Sequence, residues 1–295
     1  MFMTSLVELN YAIITQIFYM ENKTVIGFIG AGNMAYALIK GLISDGFNAK
    51  NINVSDPNEA LLENRKSELG VSTYSDNVSL LKNSEVIVFA VKPQVLSKVC
   101  HELNNQATSD QLFVSIVAGI QSKDINRWLG GNFSLVRTMP NTPALFQSGV
   151  TGLYANELVT SEQKKSVNVL LSSVGKCFWV KEENLLDAIT AISGSGPAYF
   201  FLLMQSMKQA ALSLGLDEKT ADSLSIQTSL GASIMATNSG KDSKTLRAEV
   251  TSPNGTTQAA IETFQDQNFE GIVAAATRAA YNRARELSKE LGDID

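Results

Sequence analysis

Gly30-Ala31-Gly32-Asn33-Met34-Ala35 follows Val25, Ile26, Phe28 and Ile29, an apolar run of strand type, and leads into residues 33–40, which read as a helix. The pattern is G-x-G-x-x-A on a strand–turn–helix, and the chemistry that suits it is anion binding. Gly30 permits a tight turn. Gly32 has no Cβ, so a pyrophosphate can approach the backbone. Ala35 lets the helix lie close to the strand, and the helix N-terminus offers unpaired N–H groups. A second short strand, residues 51–55, ends in Asp56 about 20 residues on, where an acidic side chain meets a ribose in dinucleotide sites. Glycine triplets also make ordinary structural turns, but the flanking strand and helix favour a dinucleotide here.

Four other stretches carry candidate chemistry. The continuous apolar run 85–91 has the character of a buried parallel strand, and Pro93 stops it. Val91 and Lys92 then sit at the carboxyl edge of a sheet, where open α/β folds bind ligands. Lys92 is read either as a cofactor contact or as a solvated loop charge. After the strand 111–117, Ala118-Gly119 is small enough for close approach of backbone and ligand. Residues 138–143 contain two prolines and form a stiff loop, either a wall of the site or a plain connector. In Val250-Thr251-Ser252-Pro253-Asn254-Gly255-Thr256-Thr257, hydroxyls gather at a helix N-terminus, a group that can hold a carboxylate without a basic residue. The same residues are also good turn and cap chemistry.

The bulk composition narrows the classes. The 295 residues suffice for two domains, and 44% apolar with 18% charged residues is globular. A net charge of −5 gives no electrostatic reason to expect nucleic acid or an anionic membrane. Cys100 and Cys177 lie far apart without a metal-ligand spacing, so buried thiols in a reducing compartment, the cytoplasm, are expected. His101 is the one histidine; it cannot build a zinc cluster and reads as structural or surface, and no metal is expected. Residues 1–22 hold an apolar patch at 11–19 without the marks of a secretory signal or the length of a membrane span, and are assigned no function.

The elements place these residues in two parts. Strand-like and helical runs alternate to residue 181: strands over 71–74, 133–137, 150–154 and 177–180, helices over 59–69, 95–103 and 124–129, with Asp76-Asn77 capping another helix. From residue 182 the pattern is helical to the end, interrupted at 193–197, with helices over 197–214, 217–236, 257–264 and 272–291. The helix after Pro197 is apolar around most of its circumference (Tyr199, Phe200, Phe201, Leu202, Leu203, Met204, Met207), which suggests burial by a second subunit. The fold class is α/β: an N-terminal Rossmann-type doubly wound sheet over 23–181, then an all-α dimerisation domain over 182–295.

Together these residues resemble the pyrroline-5-carboxylate reductase family, from about Thr24 to Lys289. FIGAGNMA, AVKPQ, VAGI, RTMPNTPA, SGSGPAY and VTSPNGTT occur in the family's order. The resemblance implies hydride transfer from NADPH or NADH to C5 of Δ1-pyrroline-5-carboxylate, giving L-proline. It implies that Gly30, Gly32, Asn33 and Met34 line the pyrophosphate, Asn77 lies near the adenosine, and Val91, Lys92 and Ala118 contact the ribose and nicotinamide side. Glu183, Ser252, Thr256 and Thr257 look like the substrate pocket, with Ser252 and Thr256 near the carboxylate and Thr257 facing the ring nitrogen. It also implies a homodimer with interleaved helical domains, or a higher oligomer, with the active site formed between subunits. Two positions depart from the family. Many members carry Ser, Asn or Arg where Asp56 stands; an Asp suits a free 2′-hydroxyl and repels a 2′-phosphate, which favours NADH. Asn254 stands where Gly is usual, and Asn tolerates positive φ. Other Rossmann reductases and a silent nucleotide sensor remain alternatives, but no central lysine of the hydroxyacid type is seen and the SPNGTT hydroxyls are intact.

Overall fold

The computed structural model describes residues 24–292; the N-terminal stretch 1–22 lies outside them. The first strands and helices alternate: β1 (Ile26–Ile29), α1 (Asn33–Ser44), β2 (Ile52–Ser55), α2 (Glu59–Leu69), β3 (Ser72–Tyr74), α3 (Asn77–Lys82), β4 (Val86–Phe89), α4 (Pro93–Leu103), β5 (Leu112–Ser115), α5 (Ser122–Leu129) and β6 (Ser134–Met139). They continue through β7 (Gly149–Ala155), α6 (Ser161–Ser172), β8 (Gly175–Trp179) and α7 (Leu185–Ile189). The sheet order is β3-β2-β1-β4-β5-β6-β7-β8. All neighbours pair in parallel except β6 and β7.

Both faces of the sheet are covered, and alternation along each strand assigns its side chains. Phe28, Val86, Val88, Leu112 and Val114 join Leu38, Leu62, Leu170 and Leu171 on one face. Ile29, Ile87, Phe89, Phe113 and Leu135 join Leu96, Ile125 and Trp128 on the other. Local chemistry sets the helix ends. Gly70 closes α2 at φ +72°, Asp76 caps α3 by accepting from the Ser79 amide at 2.7 Å, and Pro93 opens α4.

The remaining helices are α8 (Gly196–Ser213), α9 (Glu218–Asn238), α10 (Ser243–Glu249), α11 (Thr256–Asp266) and α12 (Phe269–Gly292). The chain divides into two compact units. The second is Ser195–Ala280; the first holds the residues up to Gly194 together with those from Tyr281 onward. The sequence reading put the division after residue 181. The structure carries it further because Leu186 of α7 is fully buried and Arg137 of β6 pairs with Asp187. The last turns of α12 also belong to the first unit: Leu291 joins the Phe113 face, and Arg127 donates to the Gly292 carbonyl at 2.7 Å.

Several expectations are corrected. Residues 138 and 139 belong to β6, and the second half of the expected stiff loop is wound into a 3₁₀ turn over Thr142–Phe146. The expected break at 193–197 is a π-turn over Thr190–Gly194 that leads straight into α8. Cys100 is fully buried, but Cys177 is only half-buried; burial raises both thiols, Cys177 to about 11. Helices α6 and α10 were not anticipated.

Candidate active site

The candidate cofactor residues collect at the carboxyl edge of the sheet. Ile29 stands beside Ser55 and Phe89, and Phe89 beside Ser115, so β1, β2, β4 and β5 end level. Gly30 and Asp56 follow these ends directly, and Val91, Lys92 and Ala118 lie within three residues of them. The order in which strands are added reverses between β1 and β4, the switch point at which open α/β sheets form their ligand crevice.

At that crevice the glycine turn is preset. Gly30 adopts φ +106°, and a Cβ there would stand 2.5 Å from the Ala90 carbonyl oxygen. Gly32 is different: a Cβ built on it meets nothing within 4 Å, so this backbone faces open space. Gly32 also caps α1 without a side-chain bond, which leaves the amides of the first turn, at Asn33 and Met34, available to an anion. These features fit a dinucleotide pyrophosphate. Ala31 is held from both sides: its N–H donates to Asp56 Oδ2 at 2.9 Å, and its carbonyl accepts from Arg65 Nε at 3.1 Å. The Arg65 guanidinium lies 4.4 Å over the Tyr36 ring. Asp56 Oδ1 accepts from the Asn58 amide at 2.9 Å, so the carboxylate joins the end of β2 to the turn while keeping further acceptor capacity for a ribose.

Beside the turn lies a hollow of about 300 Å³, the size of the smaller ligand pockets, bordered by Gly30, Asp56, Asn77, Val91, Lys98 and Glu102. Asn77 accepts from Ser55 Oγ at 2.8 Å and donates to Glu102 Oε2 at 3.0 Å, so its amide is oriented on both sides. Asp56, Asp76 and Glu102 set three carboxylates around this hollow against one cation, Lys98. The Ser79 backbone and side chain hold the Asp76 carboxyl below its ordinary value. Val91 packs on the sheet face, whereas Lys92 and Ala118 are exposed.

Glu183 stands apart from that crevice and is already engaged. Its Oε1 accepts from the Ser122 amide at 2.7 Å and from Arg137 Nη1 at 3.2 Å, and its Oε2 accepts from Ser122 Oγ at 2.7 Å. Asp187 lies 4.0 Å from Arg137, its carboxyl raised by burial against the opposing pull of Arg137 and Arg285. Tyr154, opposite Arg137 on β7, is raised by burial and then by Glu183. Ser122, Arg137 and Asp187 escaped the sequence reading; the one local signal was an arginine near the end of a strand.

In the second unit, Ser252, Thr256 and Thr257 meet at the start of α11. Asn254 takes φ +59°, so the turn expected of glycine forms with asparagine. Gly255 caps α11 without a side-chain bond, and no described residue bonds the hydroxyls of Ser252, Thr256 or Thr257. Free hydroxyls beside open helix amides suit a carboxylate. Among the described residues no group of three His, Cys, Asp or Glu could hold a metal.

Known proteins resemble this chain in sequence and in fold. A family model described as pyrroline-5-carboxylate reductase dimerisation matches residues 183–287, and one described as NADP oxidoreductase, coenzyme F420-dependent, matches residues 25–119. A pyrroline-5-carboxylate reductase of Pseudomonas aeruginosa is 46% identical over 267 residues, 90% of this chain and 98% of the other. The chain belongs to the pyrroline-5-carboxylate reductase family. A solved structure of a pyrroline-5-carboxylate reductase from Coxiella burnetii is 41% identical with a TM-score of 0.86, covering 90% of this chain and 99% of that one. The pyrroline carboxylate reductase of Plasmodium falciparum, solved with NADP bound, is 29% identical with a TM-score of 0.80 over 91% and 99% of the two chains.

Proposed function

We propose that this chain reduces Δ1-pyrroline-5-carboxylate to L-proline with NADH or NADPH, the closing step of proline biosynthesis. The observation that carries the reading is the open backbone at Gly32, level with Asp56 at the sheet edge, in a chain of this family. Gly32 and the first amides of α1, at Asn33 and Met34, hold the pyrophosphate. Asp56 takes the adenosine ribose, Asn77 borders the adenosine, and Val91, Lys92 and Ala118 face the nicotinamide half. The dihydronicotinamide, when bound, supplies the hydride that reaches C5 of the substrate.

The substrate's carboxylate is held by Ser252, Thr256 and the N-terminus of α11, and Thr257 hydrogen-bonds the ring nitrogen. A protonated imine is already strongly electrophilic, so this chain needs no strong general acid. Its contribution is positioning and the stabilisation of charge at the nitrogen. The resemblance groups Glu183 with the substrate residues, but its bonds to Ser122 and Arg137 support another duty.

The reading includes a homodimer with interleaved helical domains, or a higher oligomer built from it. Phe200, Phe201 and Leu202 of α8 are each at least 60% exposed in the single chain, and the match to a dimerisation model over 183–287 supports a second copy as their cover. The run Leu185–Ser213 is also long and apolar enough to cross a membrane, but its place inside that matched region favours a protein neighbour. Two unpaired cysteines fit the cytoplasm.

The test is oxidation of NADH and of NADPH in the presence of Δ1-pyrroline-5-carboxylate, followed by nicotinamide absorbance, for the wild type and Thr257→Ala. The expected result is turnover by the wild type, with kcat in Thr257→Ala lowered about a hundredfold and cofactor affinity kept, as for loss of one charge-stabilising hydrogen bond. Unchanged kcat would remove Thr257 from the mechanism, and no wild-type turnover would remove the reaction.

A further inference from the structure

Between β5 and α5 the chain crosses the sheet edge in six residues, 116–121, with exposed Ala118 in the middle. The start of this loop is fixed by the sheet. The Ile116 amide donates to the Phe89 carbonyl at 3.2 Å, the Val117 amide donates to Ser115 Oγ at 3.3 Å, and the Ser115 carbonyl accepts from Thr138 Oγ1 at 3.1 Å. The far end is fixed by Glu183, which takes both donors of Ser122 at 2.7 Å from 61 positions along the chain. Arg137 bonds the same carboxylate at 3.2 Å with its side chain only 5% exposed, so Glu183 is aimed by a buried cation on β6. A carboxylate with two donors on one residue and a third from an arginine has few orientations open to it.

We infer that Glu183 is a positioning residue for the cofactor: with Arg137 behind it, it brackets Ser122 and so holds the 116–121 loop at the height at which Ala118 meets the nicotinamide half. This rests on the reading that Ala118 faces that half of the dinucleotide. It removes Glu183 from direct contact with substrate. Loss of the bracket loosens one end of the dinucleotide and leaves the other untouched, because Ala31 in the glycine turn, Asp56 and Asn77 are held by bonds that do not involve Glu183.

The test compares binding of NADH with that of ADP-ribose, which lacks the nicotinamide, in the full-length enzyme. Glu183→Gln keeps the shape but places an N–H₂ against donors, and Ser122→Ala is a milder cut that spares the Arg137 pair. In both variants NADH is expected to bind about tenfold more weakly, as for the loss of a charge-assisted bond, with ADP-ribose affinity and the KM for Δ1-pyrroline-5-carboxylate unchanged. Equal loss of NADH and ADP-ribose binding would mean general unfolding of the site and overturn the proposal. So would a raised substrate KM with normal NADH binding, which would return Glu183 to the substrate, or no change in any quantity. Ala118→Trp separates the placement of Ala118 from the bracket: it is expected to block NADH and spare ADP-ribose. If it does so while Glu183→Gln has no effect, the bracket alone fails; if Ala118→Trp leaves NADH binding intact, the placement of Ala118 fails and the proposal with it.

Discussion

A methyl group on residue 30 would lie 2.5 Å from the Ala90 carbonyl oxygen, on a backbone at φ +106° that side chains rarely adopt, whereas one on residue 32 would touch nothing. The two glycines of one motif therefore serve different ends, the first the turn and the second the ligand. Gly30→Ala is expected to destabilise the protein by about 1–3 kcal/mol or more, read from denaturant unfolding. Gly32→Ala should unfold like the wild type but bind NADH and NADPH at least about tenfold more weakly, since its methyl group occupies the space a pyrophosphate needs. Equal unfolding midpoints for the two variants would contradict this division. Asp56 carries a second prediction at the same scale. Its carboxylate shares the hollow with Asp76 and Glu102 against Lys98 alone, an environment hostile to a dianion. The wild type is expected to have the higher kcat/KM with NADH, and Asp56→Ser should move the ratio towards NADPH by about tenfold or more. A strong wild-type preference for NADPH would sink the idea. These residues were legible in the sequence because each acts through local sterics or sign of charge. The bracket of Ser122, Arg137 and Glu183 was not, because its members lie 46 and 61 positions apart and only the strand order brings them together.

Among the elements, helices with strong end signals or long apolar runs were readable, and two short or mixed ones were passed over. Helix α6 reads SEQKKSVNVLLS, polar over its first half, so its period is weak. Its start was nevertheless written in the chain: Thr160 and Gln163 form a capping box, the Gln163 amide donating to Thr160 Oγ1 at 3.2 Å and the Thr160 amide to Gln163 Oε1 at 2.9 Å. Asp242 likewise announces α10 by accepting from the Thr245 amide at 2.8 Å. The end of β4 was over-extended for the opposite reason. The apolar run 85–91 continues past β4, whose pairing stops at Phe89, because Val91 packs beneath the ligand edge rather than in the ladder. Thr160→Ala should cost about 1 kcal/mol and lower the melting temperature by about 2–4 °C. A change below half a degree would show that packing of Val167, Leu170 and Leu171 alone sets this helix.

On the scale of the whole molecule, the chain carries an apolar face larger than one copy can hide. Phe201 and Leu202 are 63% and 64% exposed, and Met207 adds to the same helix. Leu202→Glu is expected to shift the protein from dimer or larger to monomer in sedimentation, with helical content kept and reductase activity lost. A wild type that sediments as a monomer would remove the interleaved arrangement. The return of the last helix to the first unit has a different kind of consequence. Leu291 completes the face that holds Phe113 and Trp128, and Arg127 reaches Gly292 across 165 positions of chain. During synthesis the nucleotide half of the protein is therefore unfinished when its own strands have all left the ribosome. It must wait, with part of one sheet face uncovered, until the whole of the second unit and the last turns of α12 have followed, and a chain broken before Tyr281 would leave the cofactor domain open rather than merely shorten a helix.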